Sequence, residues 1–119
     1  MSIVVVEDEP ELRELLEIVL AVGGYEVQAF AEAYPATLLK ERGEEPDLFV
    51  IDLMLPDMTG IELAERLAEA GFTRTPKIAM SASREWVTEA TQSTLFAAAI
   101  RKPFDIDELL RYVESYTRR

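Results

Sequence analysis

The chain is predicted to be an α/β domain: a parallel sheet of five strands, doubly wound, with helices on both faces. Two short runs, Ser2–Val6, apolar from Ile3 on, and the wholly apolar Leu48–Ile51, have the length and pattern of strands buried on both sides. Segments with helical spacing separate these runs from three weaker strands. Five such strand–helix alternations fit into 119 residues, and right-handed crossovers then place helices on both sides of the sheet.

The elements follow in order. After the first strand, Pro10 suits a first helical position, and Leu12, Leu15, Leu16, Val19 and Leu20 repeat at helical spacing until Gly23-Gly24 stops them. Tyr25–Phe30 alternates weakly as a second strand. Pro35 opens a short second helix through Leu38-Leu39, which Gly43 ends. The third strand, Leu48–Ile51, is broken by Asp52, and a third helix carries Ile61, Ala64 and Leu67. Lys77–Met80 reads as the fourth strand, a fourth helix begins near Arg84, and Ala98–Arg101 is the fifth strand. The fifth helix has the clearest pattern, with Ile106, Leu109, Leu110 and Val113 on one face and Asp105 and Glu108 as a capping box.

Length and composition allow one domain, residues 1–119, with 49% hydrophobic residues and no second core. No repeat, low-complexity stretch or Gly/Ser linker interrupts it. There are no cysteines, hence neither a disulfide framework nor a thiolate metal site. Charges begin at Glu7, too early for a signal peptide or a membrane span, and a cytoplasmic protein is expected. Twelve basic against 23 acidic residues, a formal charge of −11, argue against direct binding to nucleic acid or anionic membranes. Zero histidines remove the commonest general base and zinc ligand. Any chemistry falls to carboxylates.

Parallel doubly wound sheets bind ligands beyond the carboxyl ends of their strands. Those ends carry Glu7-Asp8, Asp52, Ser81 and Lys102. Three carboxylates converging there would repel one another, so either their pKa values rise or a cation binds. Magnesium fits, since it takes oxygen ligands and is typically held by one or two carboxylates and a phosphate. Asp52 ends a buried strand, where an unpaired charge is costly. The bland alternatives are a solvated acidic turn helping the next helix N-terminus and a strand-terminal Asp capping a turn.

Four separated motifs, VVVEDEP, VIDLMLPDMTG, IAMSA and RKPF, together resemble the receiver domain of bacterial two-component response regulators over essentially the full chain. The resemblance implies the flavodoxin-like strand order 2-1-3-4-5. It makes Asp52 the nucleophile that takes a phosphoryl group from the phosphohistidine of a partner histidine kinase or phosphotransfer protein. It also implies magnesium bound by Asp8, Asp52 and the main-chain carbonyl of Met54, with Glu7 acting through water. Lys102 supplies a compact positive charge and Ser81 a hydrogen bond to a phosphoryl oxygen, with the Lys102–Pro103 peptide cis. Gly60 is expected to serve loop geometry or packing. Output is expected through a protein effector on the face of the fourth helix, fifth strand and fifth helix.

The chain departs from the family pattern in places. Glu7 stands where aspartate is commoner, and Ala99 where a switching Tyr or Phe is usual. Leu95-Phe96 replace a common Gly-Ala, and Ser81–Lys102 is one residue shorter than usual. The favoured expectation is a phosphorylation-controlled binding module that catalyses its own phosphorylation, with slow dephosphorylation, and turns over no external metabolite. Its rivals are a phosphorylation-independent interaction module and a phosphate sink. A dehalogenase-type hydrolase would need a D-x-D spacing that EDEP lacks, and a flavodoxin-like carrier would need a phosphate loop without three acids. Arg118-Arg119 could equally begin a linker to a further domain.

Overall fold

The computed structural model describes residues 1–118; Arg119, half of the pair at which a linker could begin, lies outside them. Five strands, β1 (Ser2–Val6), β2 (Glu26–Phe30), β3 (Leu48–Asp52), β4 (Lys77–Ser81) and β5 (Ala98–Arg101), form one parallel sheet in the order β2-β1-β3-β4-β5. The α-helices are α1 (Pro10–Val22), α2 (Gly60–Leu67), α3 (Arg84–Gln92) and α4 (Ile106–Thr117).

The described residues thus contain four α-helices where five were expected. The connection from β2 to β3 is a 3-10 helix, Tyr34–Leu38, followed by turns to Gly43. Pro35 enters this segment near its start, but its sparse apolar pattern does not sustain a regular helix, and Gly43, with φ of 75°, closes the turns that follow. The fourth and fifth helices of the sequence reading are α3 and α4. Asp105 is the N-cap of α4, but its side chain makes no capping hydrogen bond; Glu108 N–H donates instead to the Asp105 carbonyl at 3.1 Å. The expected capping box does not form. Thr59 and Ser83 do cap α2 and α3, accepting from Glu62 N–H at 3.0 Å and Trp86 N–H at 3.3 Å.

Strand alternation divides the core into two layers. Val4, Val6, Phe49, Ile51 and Ala79 face α2, α3 and the 3-10 segment, meeting Leu63, Leu67, Ala36 and Ala90. Ile3, Val5, Leu48, Val50, Ile78 and Met80 face α1 and α4, meeting Leu16, Leu20, Leu109 and Val113. Burying each of these larger side chains stabilises the fold by roughly 1.5–3 kcal/mol. This double cover explains why β1 and β3 read as continuous apolar runs, and it fixes the strand ends that carry the polar site.

Candidate functional site

The carboxyl ends of β1, β3, β4 and β5 bring most of the predicted residues together. Glu7, Asp8 and Asp52 each offer a carboxylate oxygen, and these atoms lie within 4.8 Å of one another. Glu7 is fully buried and Asp52 nearly so, while Asp8 is exposed. The ammonium of Lys102 reaches into the cluster, 2.6 Å from Glu7 Oε1 and 2.7 Å from Asp52 Oδ2. The Lys102–Pro103 peptide is cis, and Lys102 N–H donates to the Ser81 carbonyl at 2.8 Å.

Backbone donors orient the remaining carboxylate oxygens. Glu7 Oε2 accepts from Glu9 N–H at 3.0 Å, and Asp52 Oδ1 accepts from Met54 N–H at 2.9 Å. Arg13 donates to the main-chain carbonyls of Glu7 and Asp8 at 3.0 and 3.2 Å, tying the acidic turn to α1. Burial pushes the Glu7 carboxyl up to about 7, against the lowering effect of Lys102 and Glu9 N–H. Burial also works against the charge on Lys102, but the hydrogen bonds and charges of Asp52 and Glu7 outweigh it and raise its pKa.

The buried Ser81 hydroxyl accepts from Ser83 N–H at 3.0 Å, which leaves its own proton free to donate elsewhere. Gly60 is required by packing: a Cβ there would lie 2.4 Å from the Asp52 carbonyl oxygen and 2.8 Å from Leu53 Cα. Ala99 packs against the same core layer as Phe96, Ala90, Trp86 and Leu95.

The donor set fits a hard divalent cation. Three carboxylates face a single ammonium, which leaves net negative charge on oxygen ligands alone, the chemistry magnesium takes. One ion pair was not anticipated. Glu7 contacts Lys102 directly; a buried acid after β1 and a lysine after β5 carry the signal, but no spacing in the chain announces their meeting. Asp57 was also missed. Its carboxylate accepts from Ala33 N–H at 2.9 Å and Tyr34 N–H at 2.8 Å, and Pro56-Asp57 marks a turn without indicating the distant partner.

A parallel sheet of this order, with acids at the ends of β1 and β3, a hydroxyl at the end of β4 and a lysine after β5, is the arrangement on which comparison with known proteins bears. The response regulator receiver domain matches residues 3–114, and the chain belongs to that family, the receiver domains of two-component systems. It is 39% identical over 98% of its length to the 14.6 kDa protein of the sodA1 3′ region of Leptolyngbya boryana, covering 89% of that protein. It is 37% identical over 99% of its length to the phosphate regulon transcriptional regulatory protein PhoB of Rhizobium meliloti, of which it spans about half, 52%. Among solved structures, the response regulator TrrA of Thermotoga maritima in complex with Mg²⁺ and BeF superposes with a TM-score of 0.83 at 29% identity, covering 97% of both chains. No helix among the described residues is long and apolar enough to cross a membrane.

Proposed function

We propose that residues 1–119 are a single phosphoacceptor receiver, in which Asp52 takes a phosphoryl group from the phosphohistidine of a histidine kinase or phosphotransfer protein. The observation that carries this reading is the convergence of Glu7, Asp8 and Asp52 around the ammonium of Lys102. An Asp52 carboxylate oxygen forms the new bond to phosphorus as the bond to the donor imidazole nitrogen breaks, and the imidazole leaves with that electron pair. In-line transfer of this kind asks the protein mainly to position groups and neutralise charge.

Asp8, Asp52 and the Met54 carbonyl are the ligands proposed for magnesium, with Glu7 acting through water. When bound there, magnesium neutralises charge on the transferring oxygens. Met54 N–H holds the Asp52 carboxylate in one orientation. Lys102 brings a positive charge already directed at Asp52, and Ser81 has a proton to donate to a phosphoryl oxygen. A cleft of about 420 Å³ beside Lys102, lined by Leu12, Leu15, Pro103, Phe104 and Ile106, offers the phosphodonor protein an apolar landing place.

The phosphorylated chain then changes the surface it presents to a protein effector on the face of α3, β5 and α4. It turns over no external metabolite and binds no nucleic acid itself, in keeping with its charge of −11. A cytoplasmic setting belongs to the same proposal. A phosphorylation-independent module is the second reading, favoured by Ala99 at the switch position. A small-molecule phosphodonor distinguishes them: the first reading expects the mass of one phosphoryl group added with magnesium and none with EDTA, the second no gain in either.

A further inference from the structure

The segment after Asp52 is a hairpin-like loop with a closed neck and an open tip. Met54 bridges Thr59 in antiparallel fashion, and Gly60 N–H donates to the Leu53 carbonyl at 2.9 Å, which closes the neck. The tip, residues 55–58, packs Leu55 and Met58 against the core. Its hydrogen-bonded tether to another segment, among the described residues, is the Asp57 side chain. Both carboxylate oxygens are used: Oδ1 takes Ala33 N–H at 2.9 Å and Oδ2 takes Tyr34 N–H at 2.8 Å. The acceptors lie 24 and 23 residues from the donors, at the start of the 3-10 segment that replaces a regular helix.

We infer that Asp57 is a positioning residue for the site: by clamping the loop tip to Ala33 and Tyr34, it fixes the main chain at Met54 where the metal-binding carbonyl is required. This rests on the reading proposed above. Asp57 lies outside the carboxylate cluster itself, which contains Glu7, Asp8 and Asp52. Charge-assisted bonds to two successive backbone N–H groups are directional and hold a loop more firmly than packing alone. Without them the tip must be ordered at the moment the cation or the phosphoryl group arrives, and that ordering weakens binding. The 3-10 segment is short, so its own exposed N–H groups have few other partners. One carboxylate therefore serves both sides: it satisfies two orphan donors and stiffens the loop that follows the nucleophile.

The test uses the whole chain and its Asp57→Ala and Asp57→Asn variants, with folding checked by circular dichroism. Two quantities are read: the magnesium concentration at half-saturation, followed by Trp86 fluorescence or by thermal shift, and the rate of mass gain from a small-molecule phosphodonor. Asp57→Ala, which removes both acceptors, is expected to need about threefold to tenfold more magnesium and to react slower by a similar factor, a penalty at the site about the size of one net hydrogen bond. Asp57→Asn keeps one acceptor and is expected to fall between Asp57→Ala and the parent. If Asp57→Ala lost thermal stability but matched the parent in both readouts while folded, Asp57 would be a structural staple and the inference would be overturned. Should Asp57→Ala fail to fold, a parent-like magnesium midpoint and rate in Asp57→Asn would overturn it equally. A parent chain that takes no phosphoryl group sinks the functional reading instead, and the magnesium midpoints then still decide the role of the clamp.

Discussion

Lys102 Nζ stands 2.6 Å from Glu7 Oε1, an ion pair joining the loop after β5 to the turn after β1 across 95 residues of sequence. The same ammonium holds Asp52 Oδ2 at 2.7 Å. Lys102 thus brings one positive charge to a cluster of three carboxylates. Removing one partner of a largely buried pair leaves the other uncompensated. Lys102→Ala is therefore expected to lower the stability of the metal-free chain by about 1–3 kcal/mol. Magnesium should raise the thermal midpoint more in Lys102→Ala than in the parent, because the cation then meets no competing ammonium. An equal or smaller rise would show that the lysine and the metal do not share these carboxylates.

Asp8 is the exposed member of the cluster and contributes repulsion without a lysine of its own. Asp8→Asn is expected to stabilise the metal-free chain slightly by removing one like charge. It should also blunt the rise in thermal midpoint with magnesium, since a ligand that binds only the native state stabilises by mass action. A full response to magnesium in Asp8→Asn would place the metal elsewhere.

Much of this arrangement was legible in the chain. β1 and β3 are covered on both faces, so their apolar runs are unbroken and end at Glu7 and Asp52, the very residues that gather at the site. Even the weakly patterned β5 falls on Ala98–Arg101, as expected from sequence. The expected second helix does not form: the stretch between Pro35 and Gly43 has room for one but only a sparse apolar pattern, and the start of its 3-10 turn is tied to the distant Asp57. The α4 capping box failed because Asp105 has the residues of the motif without the side-chain bond. Contacts between distant segments, Glu7 with Lys102 and Asp57 with Ala33, leave no periodic trace, and only the folded chain reveals them.

Acid should test the Asp57 clamp independently of magnesium. Burial works to raise the Asp57 carboxyl, but the N–H groups of Ala33 and Tyr34, together with those of Asp57 and Met58, outweigh it and hold its pKa below the ordinary 3.8. A depressed folded pKa contributes stability that is present above the unfolded value and lost as pH falls through the folded one. In EDTA, the parent's advantage in thermal midpoint over Asp57→Asn should persist at pH 5 and shrink as pH drops below about 3.8. An advantage that stays constant through that window would mean that the carboxylate charge plays no part.

Trp86, the one tryptophan in the chain, packs against the layer that contains Ala99 and Phe96. If Ser81 moves toward a bound phosphoryl group, an alanine at position 99 cannot turn inward to fill the space it leaves, so other bulk must move for the site to be read at this face. Beryllofluoride with magnesium, a phosphoryl mimic, is expected to change Trp86 emission and hydrogen exchange across residues 84–100, and Ser81→Ala should abolish both changes. Flat signals with the mimic bound would leave α3 and β5 without a role in output and favour a phosphate sink.

Asp52, at the end of β3 and in contact with Lys102, is the residue proposed to carry the phosphoryl group. Intact mass measurement of the parent and Asp52→Asn after incubation with a small-molecule phosphodonor and magnesium tests this assignment most directly. A single phosphoryl gain is expected in the parent, mapped to the peptide containing Asp52, and none in Asp52→Asn. Undiminished modification of Asp52→Asn, with that variant folded, would contradict it.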